Sequence, residues 1–431
     1  MTLLALAVLP GMLLLMGVPI FAVLIAATLG GILLSINPVQ AIHSAMFGSL
    51  DIFPLLAVPL FIYAGDIMSR GGIARRLIDL ILSMIGAVRG ALGIATIAAC
   101  EVFSVMSGSS VACVAAIGKT MIPALQKNGY GTVFSVSLVT ATGVVDVITP
   151  PSITMIIYGI VAQQSVPQLF LAGFPAGILI GVALAIYVVW YARVKKIPVT
   201  APAERRGVRA AAKDAIWSIF APVVIFGGIY GGLFTPTEGA AVGAAATLIA
   251  SVAMRQLSLE GLKKSFYGTA ESTGMIFMIF LGADMLNAAL ALSQMPAQLA
   301  DAVAHSGLPP MMVIVAILLF YVCLGAVMDE LSMILLTVPI LFPSVMGLEL
   351  HGLDPTSKAI WFGILVLCVV EFGLIAPPVG LNVYVVNSFA RDVPMAETYR
   401  GVIPFLIADV LRVALLMTFP WLSLWLVSVL T

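Results

Sequence analysis

Charge is what this sequence has least of. Lys, Arg, Asp and Glu make up 9% of its 431 residues, whereas 61% are apolar and mean hydropathy is +1.16. A soluble chain carries about 25% charged residues, so this one cannot clothe itself in a water-facing surface. It reads as an all-α integral membrane protein. Its 20 basic and 20 acidic residues cancel, leaving no clustered basic face of the kind a nucleic-acid binder needs. Cysteine and histidine are scarce too. Cys100, Cys113, Cys323 and Cys368 are scattered through apolar stretches without a C-x-x-C spacing, which argues against a disulfide framework or a thiolate metal site. His43, His305 and His351 lack the i, i+4 spacing of a zinc hydrolase. There is no G-x-S-x-G elbow, so an intramembrane hydrolase using a serine of 107–110 or paired aspartates would have no placed base. No enzyme activity and no cofactor are expected. The N-terminus shows neither a basic n-region nor a small-residue cleavage site, so Met1–Ile20 is expected to remain as the first crossing segment.

Apolar runs are what the sequence has instead. A helix crosses a bilayer with about 20 apolar residues. Stretches 3–35, 168–192, 216–233, 236–254, 307–327 and 401–430 are fairly complete, while 54–68, 130–148 and 377–389 are short or interrupted. Roughly ten to twelve passages fit, some of them broken. The longest polar interval, 193–214, carries Arg193, Lys195, Lys196, Arg205, Arg206, Arg209 and Lys213. The positive-inside rule makes it cytoplasmic. Arg255, Lys263 and Lys264 follow two crossings later, on the same side.

This basic loop divides the chain into a first repeat with N-terminal scaffold helices, 1–192, and a second repeat with scaffold helices, 215–431. Both halves keep one order of features. Gly65-Asp-Ile-Met68, a charged amphipathic stretch at 70–89, Ser107-Gly-Ser-Ser110, Pro123 and Thr149-Pro-Pro-Ser152 are matched by five features in the second half. These are Gly282-Ala-Asp-Met285, a stretch at 294–306, Gly325-Ala-Val-Met-Asp-Glu330, Pro339 with Pro343, and Ala376-Pro-Pro-Val379. Repeats with interrupted apolar segments at corresponding places point to a secondary transporter whose site lies between them. An odd number of crossings in each half would make the repeats inverted.

The interruptions carry the chemistry. Exposed peptide groups in hydrocarbon cost several kcal/mol each unless they line a cavity or are covered by protein. Stretch 111–127, expected to turn at Pro123, reads as one arm of a re-entrant hairpin at about 107–127, and 328–346 repeats it. Pro150, Pro151, Pro377 and Pro378 fall where second half-helices would start. Freed carbonyls and hydroxyls suit Na+, and half-helix N-termini suit an anion. Intramembrane acids are expensive and usually functional. Asp146, Asp329 and Glu371 stand beside the broken motifs as substrate or coupling candidates, together with Gly108, Pro150 and Pro377. Asp66, Glu238 and Asp409 are expected near the interfaces.

The residues then carry a resemblance. Leu55-Leu-Ala-Val-Pro-Leu-Phe61, Ser107-Gly-Ser-Ser-Val-Ala112, Thr235-Pro-Thr-Glu-Gly-Ala-Ala-Val-Gly243 and Pro377-Pro-Val-Gly-Leu-Asn382 resemble the large membrane subunit of tripartite ATP-independent periplasmic (TRAP) transporters. The likeness runs over nearly the whole chain. It implies a sodium-driven importer of organic acids, elevator-type, in a bacterial or archaeal inner membrane. Its partners would be a small four-helix membrane subunit and a periplasmic substrate-binding protein. The large-subunit pattern fills the chain, so the small subunit is expected as a separate chain. The resemblance also implies a sodium site in each repeat. The first would use Ser107 and Ser109 or Ser110, with backbone around Asp146, Thr149 and Pro151; the second would use Gly325, Gly373, Ala376 and Val379. Two positions depart from the family's pattern: Asp146 stands where Gly is usual, and Ala376 where Thr is frequent. The rival readings are a two-repeat dicarboxylate symporter working without a binding protein, and a non-transporting scaffold subunit.

Overall fold

The computed structural model describes residues 12–13, 16–33, 48, 50–71, 73–85, 88–199, 207–254, 257–292, 294–325, 328–377 and 380–430. Every regular element among them is a helix. The first half opens with α1 (Ile20–Leu33), α2 (Ala57–Arg70, entered through a 3-10 turn at Phe53–Leu56) and α3 (Ile73–Ile85). Then α4 (Ala91–Ser107) and α5 (Ser110–Lys127) follow, joined only by Gly108 and Ser109. So short a connection folds them into a helical hairpin. Gly108 makes the turn, at φ +54°, donating its N–H to the Ser104 carbonyl at 3.2 Å. Only glycine enters this left-handed region without strain.

A broken span comes next, made of α6 (Thr132–Thr142), α7 (Val145–Ile148) and, beyond an unwound Thr149–Ser152, α8 (Ile153–Val161). The first half closes with α9 (Val166–Val194). After α10 (Val208–Asp214), the second half begins with α11 (Ile216–Tyr230), α12 (Pro236–Ala253), α13 (Leu259–Leu292) and α14 (Met295–Ala304). It repeats the hairpin as α15 (Pro310–Gly325) and α16 (Glu330–Met346), and the broken span as α17 (Pro355–Ile375) and α18 (Leu381–Phe389). The chain ends with α19 (Met395–Thr418) and α20 (Trp421–Leu430).

Hairpin, broken span and long helix thus recur in one order. The breaks agree in backbone detail: Thr149 sits at φ −84°, ψ 118° and Ala376 at φ −84°, ψ 146°. Each precedes a proline, whose ring excludes the helical conformation for the residue before it. The breaks are also the most deeply enclosed spans. In their most apolar stretches, 89% of residues are buried for Thr132–Val161 and 94% for Pro355–Ile375, against 33% for Met395–Thr418. The broken helices therefore form the centre, and α19 turns much of its surface outward.

Several expectations change. Pro123 lies inside continuous α5, as Pro339 and Pro343 lie inside α16, so the first hairpin turns at Gly108–Ser109 and its second arm is α4. Neighbouring helices can re-satisfy the backbone groups an interior proline frees. Pro150, Pro151 and Pro377 do not open half-helices; they precede the N-caps Ser152 and Gly380. Stretch 54–68 gains the 3-10 turn and becomes an 18-residue span, Phe53–Arg70. Stretch 130–148 continues through its break to Val161. Stretch 401–430 is divided at Phe419–Pro420, since Pro420 has no N–H to carry a helix on. By length and composition, six described helices can cross a membrane, or up to seven if the bent pair Val208–Asp214 and Ile219–Tyr230 is one span. Parts of the first expected crossing, 3–35, and of the 193–214 loop lie outside the described residues.

Candidate functional site

Both hairpin tips meet both breaks. At the first tip, the Ser107 hydroxyl donates to Asp146 Oδ1 at 2.9 Å, and both side chains are buried. The neighbouring Ser110 hydroxyl donates instead to Asn382 Oδ1, also at 2.9 Å, reaching across to the first turn of α18 in the other half. Asn382 is fully buried and its Nδ2 has no hydrogen-bond partner. Gly108 packs on α8, where an added Cβ would lie 3.1 Å from Ile153 Cγ1. The second tip reciprocates. Glu330, the first residue of α16, lies within electrostatic reach of Asp146, and its Oε2 is buried without a partner.

Ser109 does different work from its neighbours. It caps α5, its hydroxyl accepting the Ala112 N–H at 3.5 Å. Asp329, expected as a coupling residue, is likewise a cap: its carboxylate accepts from the Ser332 N–H at 3.1 Å and from the Ser332 hydroxyl. Thr149 donates to Glu101 Oε2 of α4 at 3.1 Å, and Ser152 caps α8 through the Met155 N–H at 3.4 Å. Pro150–Pro151 is a cis bond within the unwound segment.

In the second repeat, Gly325 and Gly373 meet backbone to backbone. A Cβ on Gly373 would lie 2.6 Å from the Gly325 carbonyl oxygen. Ala376 follows, half-buried and extended, and Pro377 is exposed. Val379 lies outside the described residues.

Glu371, also expected as a coupling residue, is already engaged. Its Oε2 accepts from Arg412 Nη2 of α19 at 2.7 Å, and the same nitrogen pairs with Asp409. Asp409 is 2% exposed, so its carboxyl is not a solvated one. Asp66 pairs with the exposed Arg70 at 2.7 Å, and Glu238 closes a capping box with Thr235.

What could such a centre hold? Two serine hydroxyls, a buried carboxylate, unwound backbone at two breaks and two half-helix N-termini gather at this centre; oxygens of this kind suit a small hard cation and helix N-termini suit an anion. Sequence reasoning passed over Asn382 and Arg412. Asn382 stands just past the second Pro-Pro step and Arg412 one turn after Asp409, each in an otherwise apolar stretch, which was the available signal.

Comparison with known proteins agrees with this architecture. A family model described as the tripartite ATP-independent periplasmic transporter, DctM component, matches residues 4–422. The chain belongs to the DctM family. The C4-dicarboxylate TRAP transporter large permease protein of Pseudomonas aeruginosa is 35% identical over 394 residues, covering 91% of this chain and 90% of that protein. The ectoine TRAP transporter large permease protein of Halomonas elongata is 34% identical over 423 residues and 96% of each chain. Among solved structures, the crystal structure of the Alcanivorax borkumensis YdaH transporter aligns with a TM-score of 0.62, covering 90% of this chain and 88% of that one at 13% identity, which speaks to the fold alone. As a DctM-family chain, this is a multi-pass permease component of a three-part transporter, and not an enzyme.

Proposed function

We propose that the chain imports a carboxylate-bearing solute, driven by Na+, in a bacterial or archaeal inner membrane. It works there with a separate small membrane subunit and a periplasmic binding protein. One observation carries the reading: Ser107–Asp146 and Ser110–Asn382 bind one hairpin tip to both breaks, gathering oxygen ligands from the two repeats at a buried centre. Na+ bound there would neutralise Asp146 and hold the tip against the breaks, and the half-helix N-termini would then face the solute's carboxylate. Movement of this centre as a body against the outer helices would supply the elevator step. The relatives' names include both a C4-dicarboxylate and ectoine, solutes that carry a carboxylate.

The test is uptake of labelled dicarboxylates into proteoliposomes holding the chain, the small subunit and the cognate binding protein. Uptake should require an inward Na+ gradient and stop when K+ replaces Na+. Equal uptake in K+ would reject sodium coupling, and full uptake without the binding protein would favour the stand-alone symporter.

A further inference from the structure

Two cavities away from the central site occupy matching places in the repeats. One lies between α3 and the base of the α4–α5 hairpin, the other between α14 and the α15–α16 hairpin. Both amphipathic helices lead into their hairpins, so the two gaps follow from one architecture. Their chemistry differs. The second, about 340 Å³, has an apolar wall that includes Val303, Ile317 and Leu341. The first, about 460 Å³, joins an apolar wall of Ile78, Leu82, Leu92 and Met121 to two charged residues, Asp79 on α3 and Lys127 on α5. Neither charge has an ion-pair partner among the described residues. Lys127, in the last turn of α5, would by itself answer to the helix dipole. That does not account for an acid on a different helix lining the same gap.

The basic loop sets the depth of this first cavity. Helix α10, within that loop, packs on α3 through Ala211 and Ala215 against Leu80. The cavity therefore lies at the membrane face that carries the loop, the cytoplasmic one by the positive-inside rule. Amphipathic helices such as α3 lie in the interface plane. Lys127 is exposed and Asp79 half-buried, so the cavity is open to its surroundings. An open gap with apolar walls and charges at headgroup level suits a phospholipid. A purely anionic headgroup would be drawn to Lys127 and repelled by Asp79. A zwitterionic one satisfies both, with phosphate on the lysine and ammonium on the carboxylate. An ammonium that keeps its N–H groups can donate to Asp79, whereas a trimethylated one has none to donate.

We propose that this cavity binds one ethanolamine phospholipid of the cytoplasmic leaflet, its phosphate on Lys127, its ammonium on Asp79 and an acyl chain against Ile78, Leu82, Leu92 and Met121. The lipid wedges between α3 and the base of the hairpin whose tip bears Ser107. The inference goes beyond the sodium-coupled reading and does not depend on it.

The test uses the delipidated full chain in detergent and phosphatidylethanolamine carrying a photoreactive group in its acyl chain. Cross-links should map to 78–82 and 120–128, and unlabelled phosphatidylethanolamine should compete better than phosphatidylglycerol or phosphatidylcholine. Glycerophosphoethanolamine, the headgroup without chains, should compete poorly, which separates a lipid from a free phosphate ester. Lys127→Gln should raise the half-labelling concentration about tenfold or more, the effect of losing one charged hydrogen bond. Asp79→Asn should remove the preference for ethanolamine over choline. Lys264→Gln, exposed on α13, should change neither. Where a charge variant does not fold, Ala124→Leu, which narrows the cavity without altering charge, should abolish the labelling. Cross-links elsewhere, equal competition by the three lipids, or charge variants that bind like the parent would overturn the site. So would loss of labelling on adding the small membrane subunit, which would assign the cavity to that protein. Because no transport is measured, failure of sodium coupling would leave this result standing.

Discussion

The serines of the first tip, close together in sequence, have separate jobs. Ser107 donates to Asp146, so Ser107→Ala removes a bond to a carboxylate of a kind worth about 1.5–3 kcal/mol. Half-activating Na+ for uptake should rise about tenfold or more, since 1.4 kcal/mol is a factor of ten. Ser109 caps α5, so Ser109→Ala should instead lower stability by about 1 kcal/mol and leave Na+ activation alone. Activation curves and thermal unfolding of the two mutants, measured side by side, distinguish these roles. If Ser107→Ala activates like the parent, Ser107 is no part of the cation site. At Gly373 the issue is space. The Gly325 carbonyl, 2.6 Å from where an added methyl would lie, is rigid backbone, so Gly373→Ala must push α15 and α17 apart. Overpacking of this kind costs about 1–3 kcal/mol, and the unfolding midpoint of the purified mutant should fall. An unchanged midpoint would mean the two helices are not held at this distance.

Among the elements, the hairpins have the most consequential orientation. Inverted repeats would have α4–α5 and α15–α16 entering from opposite sides, the arrangement alternating access uses. Lys127, the last residue of α5, and Glu349, just past α16, are exposed. Glu349 suits a probe better than Gly352, whose φ of +65° would strain a cysteine. Lys127→Cys and Glu349→Cys, in a background lacking the four native cysteines, should react with an impermeant thiol reagent from opposite faces. Labelling of both from one face would remove the inverted architecture. Broken helix α17 starts on a cap outside the span: Asp354 accepts the Ser357 N–H at 3.1 Å. That bond and the Ser357 hydroxyl hold the Asp354 carboxyl below its ordinary value. A carboxyl depressed by folding stabilises above its unfolded pKa, about 3.9, and loses that contribution as pH falls through the folded value. Asp354→Ala should cost about 1 kcal/mol at neutral pH. The deficit against the parent should shrink in acid below about pH 4, and a deficit constant with pH would show that the carboxylate is not the cap.

At the scale of the whole molecule, the Ser110–Asn382 bond joins groups from the two halves. A double-mutant cycle of Ser110→Ala and Asn382→Ala on Na+ activation should give a coupling of about 0.5–3 kcal/mol, as contacting residues do. Strict additivity would mean that the halves build separate sites. The sequence by itself determined the solvent, the helical class and the order of parts. Charge scarcity forced a bilayer, hydrocarbon forced helices, and X-Pro steps at Thr149 and Ala376 forced two breaks, all of them local effects of composition and backbone sterics. It also marked Asp146 as a carboxylate beside a break. Only the tertiary structure decided which polar groups meet. Asp329 turned into a cap, Glu371 into Arg412's partner, and Asn382 into Ser110's, because each outcome depends on which helix packs opposite. Pro123 misled for the same reason: a proline stops an isolated helix, whereas packed neighbours let α5 run through it and leave the turn to Gly108.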